Sequence, residues 1–313
     1  MNNEPIVKVE HLSHRYSVQW AVRDINFEID STGIVGLLGS NGAGKSTIMN
    51  IICGVLSQTE GKVLIAGNDI RENPVAAKRN IGFLPQKPPL YNDLTVDEYL
   101  HYAARLRKMA PESIREAVES VKEKCGISHF SRRLIGNLSG GYQQRVGIAQ
   151  AIIHNPRLVV MDEPTNGLDP NQTLEVRSLI AEIAADKAVL ISTHILPEVQ
   201  ATCDRIMMIE NGSIVFSGTI DEFDNYIEPD SFTMTLGHAP GEEEIMKVAG
   251  VTDVKLISDL TSTYRVWFDG DRETMARMVE ESVKNGWKLT GIQIEKSSMN
   301  EVFAQLSGHG NHQ

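Results

Sequence analysis

Residues 33–50, GIVGLLGSNGAGKSTIMN, decide how the rest of the chain is read. Apolar and glycine residues run up to a glycine-rich loop, and an apolar-periodic segment follows it. The short run before the loop reads as a buried strand. The segment after it reads as a helix, with Gly54 as its stop. Between them, Gly39 to Thr47 fit the spacing G-x-x-x-x-G-K-[ST]. That pattern carries chemistry only between a strand and a helix, which is where it lies. Gly39, Gly42 and Gly44 let the backbone wrap tightly, so the N–H groups of Ser40, Asn41, Ala43 and their neighbours converge on an anion. The helix start brings its positive end to the same place. Lys45 supplies a point charge suited to β- and γ-phosphates. The hydroxyl of Ser46, beside Thr47, is a hard oxygen of the kind magnesium prefers. An incidental glycine-rich turn would need neither the flanking elements nor the lysine.

Upstream, IVKVEHLSHRY and AVRDINFEI alternate in a β manner and suggest antiparallel strands. Downstream, residues 62–66 and 80–84 read as further strands. A helical block covers about residues 87–154. In it Thr95 and Glu98 have capping-box spacing. Ile114, Val118, Val121 and Cys125 line one helical face, closed by Gly126. A third helix opens at Gly140 and Gly141 and runs to about Ile153, before Asn155-Pro156. Strands and helices then alternate through RLVVMDE, a helix over 172–185, AVLIST, RIMMIE and SIVFSG. Apolar strands alternating with helices imply a parallel sheet covered on both faces. From about Asp230 the rhythm becomes βαββαβ plus one helix, the ferredoxin-like order. Charge shifts there as well: residues 221–313 hold 17 acidic and 8 basic side chains, in a chain with 41 and 30.

Two further motifs carry chemistry. LVVMDEP, residues 158–164, is an apolar strand ending in two carboxylates. It places them at the carboxyl edge of the sheet, where α/β folds bind ligands. There Asp162 would hold magnesium through the metal's water shell, and Glu163 would orient and polarise an attacking water. LSGGYQQR, residues 138–145, opens a helix with Ser139, Gly140 and Gly141. This is a second anion-binding helix start in one chain. One nucleotide does not need two such caps from the same subunit, which hints that this one serves a nucleotide held by another copy.

With these motifs together, the chain resembles the nucleotide-binding subunits of ABC transporters over roughly its first 220 residues. Every motif of that family occurs in order. GSNGAGKST matches Walker A, LSGGYQQR the signature, LVVMDE Walker B and GLDP the D-loop, with Asp169. IGFLPQ supplies the Q-loop glutamine, Gln86, and ISTH the switch histidine, His194. Tyr16 fits the A-loop aromatic better than Trp20, from its distance to Gly39. GLLGSNGAGKST, THILPEVQATCDRI and the closing NEVFAQL are most similar to ATP-binding subunits of ABC-2-type exporters, in the drug-resistance and gliding-motility-like branches. The resemblance implies an α/β P-loop NTPase core of RecA-like type over residues 1–227, with an antiparallel β subdomain and the helical subdomain. Residues 228–313 would form a small ferredoxin-like accessory or regulatory domain. It further implies that ATP with magnesium is bound between two head-to-tail copies, or between this chain and a related ATPase. Tyr16 would meet the adenine, and Ser139, Gly140 and Gly141 the nucleotide of the partner. Gln86 would lie at the metal and γ-phosphate with His194. A separate transmembrane permease would carry the cargo, with this chain peripheral to it on the cytoplasmic face.

Composition limits the rivals. The net charge of −11 argues against a nucleic-acid partner met through a basic face. The N-terminus has neither the basic nor the apolar region of a signal peptide, and no continuous apolar stretch is long enough to span a bilayer. Cys53, Cys125 and Cys203 are scattered and odd in number, so they read as buried thiols of a reducing compartment. His11 with His14, and His309 with His312, have loose metal-like spacing but lack a third ligand. A soluble ABC protein acting on ribosomes or DNA would carry two cassettes or long coiled coils, and this chain has one Walker A and no long heptad run. A GTPase switch would need an NKxD guanine reader, which is absent.

Overall fold

The structure, a computed structural model, describes residues 4–227, 229–271, 273–295 and 299–308. The expected domain start at Glu228 and the His309–His312 pair lie outside them. Two compact units part between Ile220 and Asp221.

The first unit runs β1 (Val7–Tyr16), β2 (Gln19–Ile29), β3 (Gly33–Leu38), α1 (Lys45–Ile52), β4 (Glu60–Ile65), β5 (Asn68–Asp69), α2 (Pro74–Arg79) and β6 (Ile81–Leu84). It continues through α3 (Val96–Leu106), α4 (Pro111–Lys124), α5 (Gly140–Ile152), β7 (Leu158–Asp162), α6 (Pro170–Ala184), β8 (Ala188–Thr193), α7 (Leu196–Thr202), β9 (Arg205–Glu210) and β10 (Ser213–Thr219). β2-β1-β4-β5 form an antiparallel sheet. The main sheet has the order β10-β9-β3-β8-β7-β6 and is parallel except for β10. β7 and β8 are buried throughout, as strands covered on both faces must be.

The parallel register positions the site. Leu38 pairs with Thr193, Asp162 with Ser192, and Leu84 with Met161. Four strands therefore end in adjacent rows at one edge. The residues that follow them, Gly39, Glu163, His194 and Gln86, all emerge there.

The helices start and stop for local reasons. Gly54 takes φ 64° after α1, a left-handed stop that glycine adopts without strain. Thr95 and Glu98 form the full reciprocal capping box of α3. Lys122 on α4 is buried, and its ammonium donates to Asp97 of α3, to Glu119 and to Ser131. The helix expected over 172–185 begins earlier, at Pro170. Asp169 caps it by accepting from Gln172 N–H at 2.9 Å, and proline suits the first helical position. The sequence reading passed over β5, α2 and α7, all too short to show a period. The three cysteines are buried and free, and burial pushes their thiols up.

α8 (Ile220–Asp224) starts on the last described residue of the first unit and leads into the second. The second unit then runs β11 (Ser231–Leu236), α9 (Glu242–Ile245), β12 (Val251–Ser258), β13 (Thr263–Phe268), α10 (Glu273–Lys284), β14 (Leu289–Ile294) and α11 (Met299–Gly308). Its sheet is antiparallel, in the order β12-β13-β11-β14. Phe232, Met234, Tyr264, Val266, Phe268, Met278 and Trp287 share its core. The first helix of the expected βαββαβ order, α9, is a single turn. After Ile245 the backbone tightens into three-residue turns, with Lys247 N–H on Glu244 and Val248 N–H on Ile245.

Candidate nucleotide-binding site

The loop between β3 and α1 is shaped by glycine where nothing larger fits. A Cβ at Gly39 would lie 2.3 Å from the Ile209 carbonyl oxygen. Gly44 takes φ 113° and caps α1 with no side-chain bond, so the first N–H groups of that helix stay available to an anion. Lys45 is the first helical residue and is buried. Its ammonium donates to the carbonyls of Gly39 at 2.8 Å and Ser40 at 3.0 Å. Burial lowers its pKa, and the charges of Glu163, Asp162 and Glu210 oppose that. Ser40 Oγ donates to the Glu210 carboxylate at 3.0 Å, tying the loop to the end of β9.

A cleft of about 570 Å³ opens over this loop, a size ordinary for small-ligand sites. Asn41, Gly42, Gly44, Lys45, Ser46 and Thr47 form its floor. Gln86 and Glu163 line it on the sheet side, and Tyr16, Gln19, Trp20, Ala21, Asn211 and Gly212 complete the wall. Both aromatic candidates are therefore present. Tyr16 is 54% exposed and meets His14 edge-on, with ring centroids 4.7 Å apart. Trp20 lies under two guanidinium groups, Arg15 at 5.7 Å and Arg23 at 5.3 Å.

The carboxylates at the end of β7 are fixed differently. Asp162 is buried and accepts from the Ser192 hydroxyl of β8. The same hydroxyl accepts the Glu163 N–H at 3.0 Å. Glu163 itself has φ 48°. Its carboxylate is 13% exposed and accepts at both oxygens. Gln86 Nε2 reaches Oε2 at 2.6 Å, Asn166 Nδ2 reaches it at 2.9 Å, and His194 Nδ1 lies 2.8 Å from Oε1. The structure thus brings Gln86, Glu163 and His194 into direct contact beside the phosphate loop.

The donor chemistry fits magnesium. Ser46 offers a hydroxyl at the cleft floor. Asp162 has Oδ1 engaged by Ser192, and Gln86 has its Nε2 on Glu163, which leaves an amide oxygen. These are hard oxygens, the set that shares magnesium with substrate phosphates. Among the described residues there is no protein-only cluster of three or more His, Cys, Asp or Glu side chains for a metal.

Ser139, Gly140, Gly141 and Asp169 do not line this cleft. Gly141 and Asp169 instead share a second groove with Tyr142, Arg145, Asn171, Gln172 and Glu175. A Cβ at Gly141 would lie 2.5 Å from Gln172 Cδ. Ser139 caps α5 without a side-chain bond and is exposed, as is Gly140.

The chain is similar to known proteins. The ABC transporter family profile matches residues 22–166. The bacitracin transport ATP-binding protein BcrA of Bacillus licheniformis is 35% identical over 315 residues, covering 97% of this chain and 98% of its own length. The chain belongs to the ABC transporter ATP-binding family. The linearmycin resistance ATP-binding protein LnrL of Bacillus subtilis is 26% identical over 307 residues, covering 97% of this chain and 98% of that one. Among solved structures, a component of the ABC transporter complex cbiONQ from Clostridium perfringens superposes with a TM-score of 0.64. It is 30% identical and covers 70% of this chain and 90% of that one. This ABC subunit binds ATP and hydrolyses it to power transport.

Sequence reasoning missed Ser192, Asn166 and Glu210. Ser192 lies two residues before His194 in ISTH, and Asn166 three after Glu163. ISTH was read only for its histidine, and Asn166 falls in the gap between LVVMDEP and GLDP. Only the pairing of β7 with β8 shows that Ser192 faces Asp162.

Proposed function

We propose that two copies of this chain, or this chain and a related subunit, close head to tail over two ATP molecules. Each ATP would rest in the cleft of one copy and against Ser139, Gly140 and Gly141 of the other. The observation that carries this reading is that Ser139, Gly140 and Gly141 do not line the cleft, while Gly141 lies with Asp169 in a separate groove. Their positive helix start is surplus to a nucleotide held by the same chain.

Within that assembly each residue takes a role that its position supports. Tyr16 stacks on adenine. Lys45 exchanges the Gly39 and Ser40 carbonyls for β- and γ-phosphate oxygens. Ser46, Asp162 and Gln86 would hold magnesium, which when bound neutralises charge on those phosphates. A water attacks the γ-phosphorus, the bond to the β-phosphate oxygen breaks, and ADP leaves. Glu163 takes the proton of that water. Gln86 and His194, already on its two oxygens, aim the carboxylate and meet the γ-phosphate as charge develops.

Among the described residues no helix is long and apolar enough to cross a membrane. We assign the membrane path to a separate permease that holds this chain at the inner face of the cell membrane. The helical segment over about 87–154 would pass movement to that permease. Likeness to the bacitracin and linearmycin proteins supports export. We read the second unit as a ferredoxin-like accessory domain that stabilises or regulates the dimer, since no nucleotide motif falls in it. Sedimentation of the Glu163→Gln protein with ATP and magnesium tests the assembly. A two-chain mass that needs ATP supports it, and a one-chain mass at saturating ATP refutes it.

A further inference from the structure

Two threonines flank the hydrolytic pair, and both donate to one carboxylate. Thr165 follows Glu163 by two residues, and Thr193 immediately precedes His194. Thr165 Oγ1 donates to Glu198 Oε1 at 2.8 Å, and Thr193 Oγ1 donates to Glu198 Oε2 at 3.0 Å. The threonines are 9% and 3% exposed, and the Glu198 side chain 14%. Arg177 of α6 lies 3.4 Å from Oε1 and partly balances the charge.

Each threonine also shapes the turn beside it. With its proton given to Glu198, Thr193 Oγ1 accepts the Ile195 N–H at 3.0 Å. That bond closes the backbone around His194. Thr165 sits in the turn that folds Asn166 back onto Glu163. There Asn166 N–H meets the Glu163 carbonyl at 3.1 Å, and its amide meets the carboxylate at 2.9 Å. Asn166 and His194 hold opposite oxygens of Glu163. Both therefore issue from segments tied to the same residue of α7. Glu198 does not line the ATP cleft.

We propose that Glu198 is a positioning residue. It locks the turn after Walker B to the turn that carries His194, and so sets how His194 and Asn166 clamp the Glu163 carboxylate. A half-buried carboxylate with both oxygens filled is suited to this, because losing either threonine frees one turn from the other. The inference rests on the reading of Glu163 and His194 as the hydrolytic pair.

The test is steady-state ATP hydrolysis by the full chain carrying Glu198→Ala, Thr193→Val, both, Glu198→Gln or His194→Ala. Each of the first two lowers kcat about 10-fold and leaves KM for ATP within about 2-fold, because neither touches the cleft. The double variant is no worse than either single, since both cut one link. Glu198→Gln recovers most of the loss, because its oxygen serves one threonine and its N–H₂ the other. A roughly 100-fold loss in the double variant overturns the proposal, because independent effects multiply. So does a KM rise that matches the fall in kcat, or an unchanged kcat in Glu198→Ala. His194→Ala separates the two levels of the reading. If it leaves kcat unchanged, the hydrolytic pair is wrong. If it lowers kcat while Glu198→Ala does not, only the positioning role falls. Nucleotide binding reports folding. Should Glu198→Ala fail to bind, the Thr165→Val and Thr193→Val pair must show the same non-additivity for the proposal to stand.

Discussion

Replacing Glu163 by glutamine removes a base and almost nothing else, which makes it the sharpest test of the hydrolytic site. The carboxylate accepts from Gln86 and Asn166 at Oε2 and faces His194 at Oε1. A glutamine amide fits one way round. Its oxygen must face the two amide donors, because an N–H₂ there would meet donors on both sides. Its N–H₂ then points at His194 Nδ1, which accepts by carrying its proton on Nε2 instead. The network survives with weaker neutral bonds, so stability falls by only about 1 kcal/mol. For the first unit, which ends at Ile220, that is a melting shift of about 2–4 °C. ATP affinity should hold, since the phosphate loop is untouched. The rate should not. A positioned base contributes about 10²–10⁴-fold, which at 1.36 kcal/mol per decade is roughly 3–5 kcal/mol of barrier. Phosphate release at saturating ATP and magnesium reads this directly. A variant that keeps more than about a tenth of the parent rate lies outside that range and refutes Glu163 as the base.

Three other outcomes are expected. Tyr16→Ala should weaken ATP binding about 10- to 100-fold with kcat largely kept, since stacking is worth about 1–3 kcal/mol per base; the same loss from Trp20→Ala instead would show that the wrong aromatic has been assigned. Burial, with the Arg107 charge second, holds the His154 pKa down to about 4, so the fold keeps this side chain neutral. Its contribution to stability is full above about pH 6.5 and is lost as pH falls towards about 4, at most about 3 kcal/mol, because the unfolded chain binds the extra proton. Urea unfolding at about pH 7 and about pH 4.5 should show that loss in the parent and much less of it in His154→Gln; equal losses would refute the assignment. A chain ended at Ile220, where the two units part, should fold and bind ATP, and a several-fold change in its hydrolysis rate or dimer affinity would support regulation by the second unit. Failure to bind nucleotide would show the division to be wrong.

What the sequence made legible was whatever depends on the end of a parallel strand. Gly39, Glu163, Gln86 and His194 each follow an apolar run, and the register of β3, β8, β7 and β6 brings those ends together. The strand-end pattern was enough to place the glycine-rich loop and the Asp162-Glu163 pair, whereas Gln86 and His194 entered only through the resemblance to the ABC family. The rest needed side chains from elements that the motifs do not link. Ser192 serves Asp162 from a neighbouring strand, Glu210 holds Ser40 from the far end of β9, and Glu198 joins two loops from a helix of seven residues. Such pairs leave no period and no fixed spacing. The one-turn α9 illustrates the opposite error. Its three glutamates suit a helix start, but the chain tightens before a second turn forms.

The backbone at Glu163 explains why the two adjacent carboxylates can serve one edge. In a continuing strand Asp162 and Glu163 would point to opposite faces. A left-handed φ of 48° at Glu163 breaks that alternation. The conformation costs a non-glycine residue roughly 1–2 kcal/mol. It persists because the Glu163 N–H is held by the Ser192 hydroxyl at 3.0 Å, and the side chain is gripped from three directions. Asp162 keeps its strand position and faces Ser192, behind the phosphate loop. Glu163 turns out over the cleft between Gln86 and His194. The strain is therefore the device that gives two adjacent carboxylates different placements, as the proposed metal-holding role of Asp162 and proton-accepting role of Glu163 require. It also shows why the hydroxyl of Ser192, which bonds both residues, sits at the centre of the arrangement.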